Sequence, residues 1–159
     1  MTGLRLGAPA PDFSLRDQHG RRVTMSASQG RAEVLLVFFP WAFSSVCSAE
    51  LATLQSRRGE LPSSVEVLAV SCDPVYSLRA AADAERLEFP LLSDFWPHGA
   101  VSAAYGVFDH DLGVAKRSSF LVDSGGLIRW QVHNAMPDPR AVDDYLREIQ
   151  GIGTSKPDM

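Results

Sequence analysis

The chain has 159 residues, of which 45% are hydrophobic and 21% charged, with a net charge of −4. This suits one soluble globular domain with a real core, and an acidic balance without a basic run argues against a nucleic-acid partner. Met1–Leu15 lacks the basic and apolar regions of a signal peptide, no apolar stretch is long enough to span a bilayer, and two cysteines are too few for a disulfide framework. The expectation is a cytoplasmic protein with no membrane partner.

Asp12-Phe-Ser-Leu15 and Arg22-Val-Thr-Met25 flank the turn-forming Asp17-Gln-His-Gly20, which predicts an N-terminal β-hairpin. Val34-Leu-Leu-Val-Phe-Phe39 is an unbroken apolar run of strand length, the pattern of a buried strand. Helical sequence follows from Ser48 to Gln55, then a loop at Leu61-Pro-Ser-Ser64. Val65–Ser71 reads as a second apolar strand. Asp73-Pro74 predicts a helix start, with Asp73 as cap and Pro74 at the first helical position. That helix directs Leu78, Ala81, Ala82, Ala84 and Leu87 toward the short strand Phe89–Leu92.

Ser93–Tyr105 holds a loop and a short helix, with Gly106 as C-terminal cap. Ser118–Asp123 and Leu127–His133 are strands joined by Ser124-Gly-Gly126, a hairpin signal. Asp138-Pro139 predicts the opening of a last helix, with Val142, Tyr145, Leu146 and Ile149 on one face. This order predicts an α/β thioredoxin-like fold, a central mixed β-sheet flanked by helices with an N-terminal β-hairpin. One domain is expected over 1–152 and a flexible tail over 153–159.

Cys47 stands where the 34–39 strand has turned into the next helix. A thiol in the first turn of a helix faces unpaired backbone N–H groups and the positive end of the helix dipole. Both favour the thiolate, the nucleophilic form, so Cys47 is a candidate nucleophile. Ser44, three residues earlier, is placed to cap the helix or to reach a ligand oxygen near the sulfur. Pro40 ends the strand and brings no N–H to compete for that space. Trp41 and Phe43 are expected to exclude water around the thiolate. His19, His98, His110 and His133 show no metal-ligand spacing, and neither cysteine belongs to a C-x-x-C pair.

Pro40-x-x-x-Ser44-x-x-Cys47 resembles the active-site motif of the peroxiredoxins, in which Thr or Ser holds the position of Ser44. The resemblance continues through Gly7–Leu15, Phe89–Asp94, Tyr105-Gly-Val107 and Arg117–Asp123. Within the family, Leu91–Ser102 together with Cys47-x-x-Glu50 is most similar to the AhpE-like one-cysteine subgroup. The resemblance implies a thiol-dependent peroxidase that uses no metal, haem or flavin. Cys47 would become a sulfenic acid, Arg117 would supply a guanidinium, Ser44 a hydroxyl donor, and Pro40 a shield for the oxidised sulfur. Glu50 matches a position that holds arginine by charge pairing. The implied partners are a peroxide, a thiol reductant (mycothiol with mycoredoxin, or thioredoxin) and a second copy in a homodimer. By the same resemblance, the dimer interface lies near Ser93–Tyr105 and the loop of Trp41 and Phe43.

Cys72 is a possible resolving cysteine, although it follows a buried strand, where an inert thiol is the ordinary outcome. The usual resolving positions are empty, with Ala52 standing five residues after Cys47 and no cysteine near the C-terminus. Two other readings use the same nucleophile. One is a peroxide-responsive sensor that oxidises without turnover; the other is a hydrolase pairing Cys47 with a histidine.

Overall fold

In the computed structural model, which describes residues 4–136 and 141–154, an antiparallel hairpin of β1 (Ser14–Arg16) and β2 (Arg22–Thr24) opens the fold. The Asp17 carboxylate closes its turn by accepting the backbone N–H of His19 at 2.8 Å and of Arg21 at 2.9 Å. Buried Gln18 docks the hairpin on the rest of the molecule. Its amide donates to the Phe89 carbonyl at 3.1 Å and accepts from the Leu91 N–H at 2.8 Å.

The chain then forms β3 (Glu33–Phe38), α1 (Ser45–Ser56), β4 (Val65–Ser71), α2 (Val75–Glu85), β5 (Leu91–Ser93) and α3 (Ala100–Ala104). It ends with β6 (Phe108–Asp109), β7 (Val114–Ala115), β8 (Ser118–Val122), β9 (Ile128–His133) and α4 (Val142–Thr154). The central sheet has the order β5-β4-β3-β8-β9. β3, β4 and β5 run parallel, while β8 pairs antiparallel with both β3 and β9. This is the mixed, thioredoxin-like sheet expected from the sequence.

Side-chain alternation along β3 divides the core between the two faces of the sheet. Leu35 and Val37 pack in one cluster with Leu51 and Leu54 of α1, Leu78 of α2, and Tyr145, Leu146 and Ile149 of α4. Val34, Leu36 and Phe38 pack in the other with Phe13, Tyr105, Phe120 and Ile128. Burial on both faces is why β3 reads as an unbroken apolar run rather than an alternating one.

Several local readings change. Asp73 does not cap α2: the cap position is Pro74, without a side-chain hydrogen bond, and the Asp73 carboxylate accepts instead from Ala42 N–H and Ser71 Oγ. Ala84 is exposed, because it lies about 240° around the helix from Leu78, while Leu78, Ala81 and Ala82 turn inward. The two-residue strands β6 and β7 carry too little pattern to be anticipated. Gly106 follows α3 at φ 73°, the left-handed geometry that glycine adopts without a Cβ penalty. Asp138-Pro139, the expected opening of α4, lies outside the described residues, as does 155–159; α4 itself runs to Thr154 with Val142, Tyr145, Leu146 and Ile149 buried.

Candidate active site

β3 ends at Phe38, and Phe39 N–H still donates to the Val70 carbonyl of β4 at 2.9 Å. Pro40 follows, buried, and the chain turns through Trp41, Ala42 and Phe43 into α1. Ser44 is the N-cap, in an extended conformation, and its hydroxyl oxygen accepts Cys47 N–H at 3.2 Å. That bond satisfies one of the unpaired amides of the first turn and leaves the Ser44 O–H proton available to another acceptor. Cys47 is fully buried.

Arg117 lies immediately before β8, whose first residue Ser118 pairs with Phe38 of β3. On β8, Leu121 belongs to the α1 side of the sheet and Phe120 to the opposite side. The same alternation sends Arg117 toward α1. Its Nη1 donates to Cys47 Sγ at 3.5 Å and also to Glu50 Oε1. Nε and Nη2 both donate to the Met136 carbonyl, at 3.1 and 2.9 Å. Glu50 comes three residues after Cys47, so the two share one face of α1. Arg117 is 1% exposed and Glu50 4%. Charges that deep persist only when paired and hydrogen-bonded, and here each is.

Cys47, Ser44, Pro40, Arg117 and Glu50 thus converge at the C-terminal end of β3 and the start of α1. The Met136 carbonyl is a further component with no sequence signal, because any residue supplies a carbonyl. Trp41 and Phe43, expected to exclude water from the sulfur, are instead 40% and 57% exposed. The turn directs them outward, and the burial of Cys47 owes to the sheet, α1 and Arg117.

Cys72 is not brought into this group. Residues Leu68 and Val70 of β4 belong to the face opposite Cys47, and Cys72 follows in the same alternation. Its thiol lies against the Ser102 hydroxyl and the Ala115 backbone, and burial, with the nearby Asp94 charge, pushes its pKa up to about 11. At neutral pH it is held as the unreactive thiol. Imidazoles are also elsewhere. The His98 nitrogens meet the carbonyls of Phe95 and Gly113, and those of His133 meet Ser118 Oγ and Gln131 Oε1. Among the described residues no cluster of His, Cys, Asp and Glu is arranged to hold a metal, and no helix is long and apolar enough to cross a membrane.

The AhpC/TSA family profile matches residues 6–131. The chain belongs to this peroxiredoxin family. Alkyl hydroperoxide reductase E of Mycobacterium tuberculosis is 48% identical over 128 residues, covering 80% of this chain and 84% of that protein. The chloroplastic 2-Cys peroxiredoxin BAS1 of spinach is 34% identical over 165 residues, 96% of this chain and 62% of its own length. Among solved structures, the reduced 2-Cys peroxiredoxin of Plasmodium vivax superposes with a TM-score of 0.86 at 28% identity, covering 94% of this chain and 82% of that one. The peroxiredoxin assignment made from Pro40, Ser44 and Cys47 is therefore correct, and the mycobacterial relative agrees with the AhpE-like subgroup.

Proposed function

We propose that this peroxiredoxin reduces hydrogen peroxide and organic hydroperoxides through Cys47, with an external thiol as the second substrate. The observation that carries the reading is the Arg117 guanidinium held 3.5 Å from a buried sulfur at the start of α1. A cation and a helix N-terminus on one sulfur stabilise the thiolate. That thiolate attacks one peroxide oxygen, and the S–O bond forms as the O–O bond breaks. The electron pair leaves on the distal oxygen, which takes up a proton and departs as water or an alcohol. Arg117 and the Ser44 hydroxyl are donors for the oxygens on which charge develops.

Cys47 is left as a sulfenic acid. A thiol displaces its hydroxyl as water to give a mixed disulfide, and a second thiol releases Cys47. In sum, one hydroperoxide and two thiols become an alcohol, water and one disulfide. Cys72, on the other face of the sheet, supports the one-cysteine course with an external reductant. Mycothiol with mycoredoxin is the reductant suggested by the AhpE-like resemblance, thioredoxin the other, in a cytoplasmic setting that keeps thiols reduced. The aromatics Trp41, Phe43, Phe95 and Trp96 are exposed in the two segments that the resemblance gives to a dimer interface, which supports a homodimer.

Peroxide consumption with a thioredoxin or mycoredoxin system tests the reading. The parent protein turns over repeatedly and Cys47→Ser does not. A parent that consumes a single equivalent and then stops with every thiol system is a sensor, and a Cys47→Ser variant as active as the parent removes Cys47 from the chemistry.

A further inference from the structure

The turn that delivers Ser44 to Cys47 contains a strained residue. Phe43 has φ 71°, in the left-handed region that a bulky side chain rarely occupies. Such a conformation persists only where its surroundings hold it. Phe43 is 57% exposed, so packing of its own ring does little of that holding. The adjacent Ala42 is anchored from outside the turn: its N–H donates to Asp73 Oδ2 at 2.9 Å, across 31 positions of sequence. Asp73 is itself fixed. Ser71 Oγ donates to the same carboxylate oxygen at 2.7 Å, and Ser93 Oγ donates to the Asp73 main-chain carbonyl at 2.6 Å. Asp73 has thus given up the helix-capping role its position before Pro74 suggests and serves the turn instead.

We propose that Asp73 is a positioning residue for peroxide reduction, holding the Pro40–Phe43 turn through Ala42 so that Ser44 stays at the start of α1 with its hydroxyl on Cys47 N–H. Asp73 touches neither sulfur nor substrate, and its effect passes through Ser44. Without the carboxylate, Ala42 N–H loses its anchor, Phe43 relaxes out of the left-handed region, and the residue that follows it turns away from the start of α1. The inference rests on Cys47 as the reacting sulfur.

The test is the second-order rate of Cys47 oxidation by hydrogen peroxide in the full chain, followed by loss of the reduced thiol, with Cys47→Ser as the control for that reading. Asp73→Ala lowers the rate about ten- to a hundred-fold, the scale of a small misplacement in a catalytic site. Asp73→Asn keeps an acceptor oxygen for Ala42 N–H and stays within about three-fold of the parent. In a Ser44→Ala background the same Asp73→Ala change costs under about two-fold, because residues acting through one group are not additive. A role in bulk stability alone would instead give its full loss in both backgrounds. Should Asp73→Ala not fold, Asp73→Ser makes the same comparison, being polar but too short to reach Ala42. A parent-like rate in Asp73→Ala, or an undiminished loss in the Ser44→Ala background, overturns the proposal. If Cys47→Ser still reacts at the parent rate, the assignment of the sulfur fails instead.

Discussion

Glu50 and Arg117 form an ion pair buried almost completely, with the same Arg117 nitrogen that meets the carboxylate also donating to Cys47 Sγ. Removing one partner strands the other charge in the interior. Glu50→Ala is therefore expected to lower unfolding free energy by about 3–5 kcal/mol. The double change Glu50→Gln with Arg117→Met removes both charges and recovers much of that loss, as urea unfolding would measure. Its peroxide rate stays as low as that of Arg117→Met alone, about 10²–10³-fold below the parent, because the donor to the developing charge is gone.

Ser44 caps α1 through its hydroxyl on Cys47 N–H, and the proposed chemistry uses the same hydroxyl as a donor to peroxide oxygen. Ser44→Ala costs about 1 kcal/mol through the lost bond to Cys47 N–H. It also slows peroxide reduction, while Ser44→Thr restores both. Denaturation midpoints and oxidation rates on the three proteins separate the cap from the chemistry, since loss of the cap alone leaves the rate unchanged.

Cys72 makes a pH-dependent contribution whose sign follows from its raised pKa. The folded protein keeps the proton up to about 11, against an ordinary value of 9.0. Between these values the unfolded chain loses the proton first, so the stabilisation is complete below about pH 9 and is lost as pH rises through about 11. Cys72→Ser should show a shallower fall in stability over that window. At neutral pH the same variant should leave Cys47 oxidation unchanged, measured as the peroxide rate.

Gln18 offers a stability change remote from the sulfur. Gln18→Ala leaves the Phe89 carbonyl and the Leu91 N–H without this side-chain partner. The cost is about 1–3 kcal/mol by urea unfolding. The rate constant of Cys47 with peroxide should hold, because the hairpin docks on β5 and not on α1.

The readable features were those set by nearby sequence. β3 could be recognised because both its faces are covered, and Ser44 as a cap because the capping bond spans only three residues. The same reasoning misplaced Asp73. An aspartate before proline is a good local cap, but the competing donor, Ala42 N–H, is remote in sequence and is brought close only by β3 lying beside β4. The outward Phe43 sits at a left-handed φ, which its side chain does not suggest. The Met136 carbonyl was invisible for another reason, because a main-chain acceptor carries no residue type. Arg117 and Glu50 needed the family resemblance, since each alone reads as a surface charge.

In the proposed cycle Cys47 passes through a sulfenic acid that Cys72 does not resolve. Intact mass spectrometry after one equivalent of hydrogen peroxide, with no reductant, addresses it most directly. The expected result is a gain of one oxygen located on Cys47, absent in Cys47→Ser. Loss of two hydrogens, marking a Cys47–Cys72 disulfide within the chain, would contradict it.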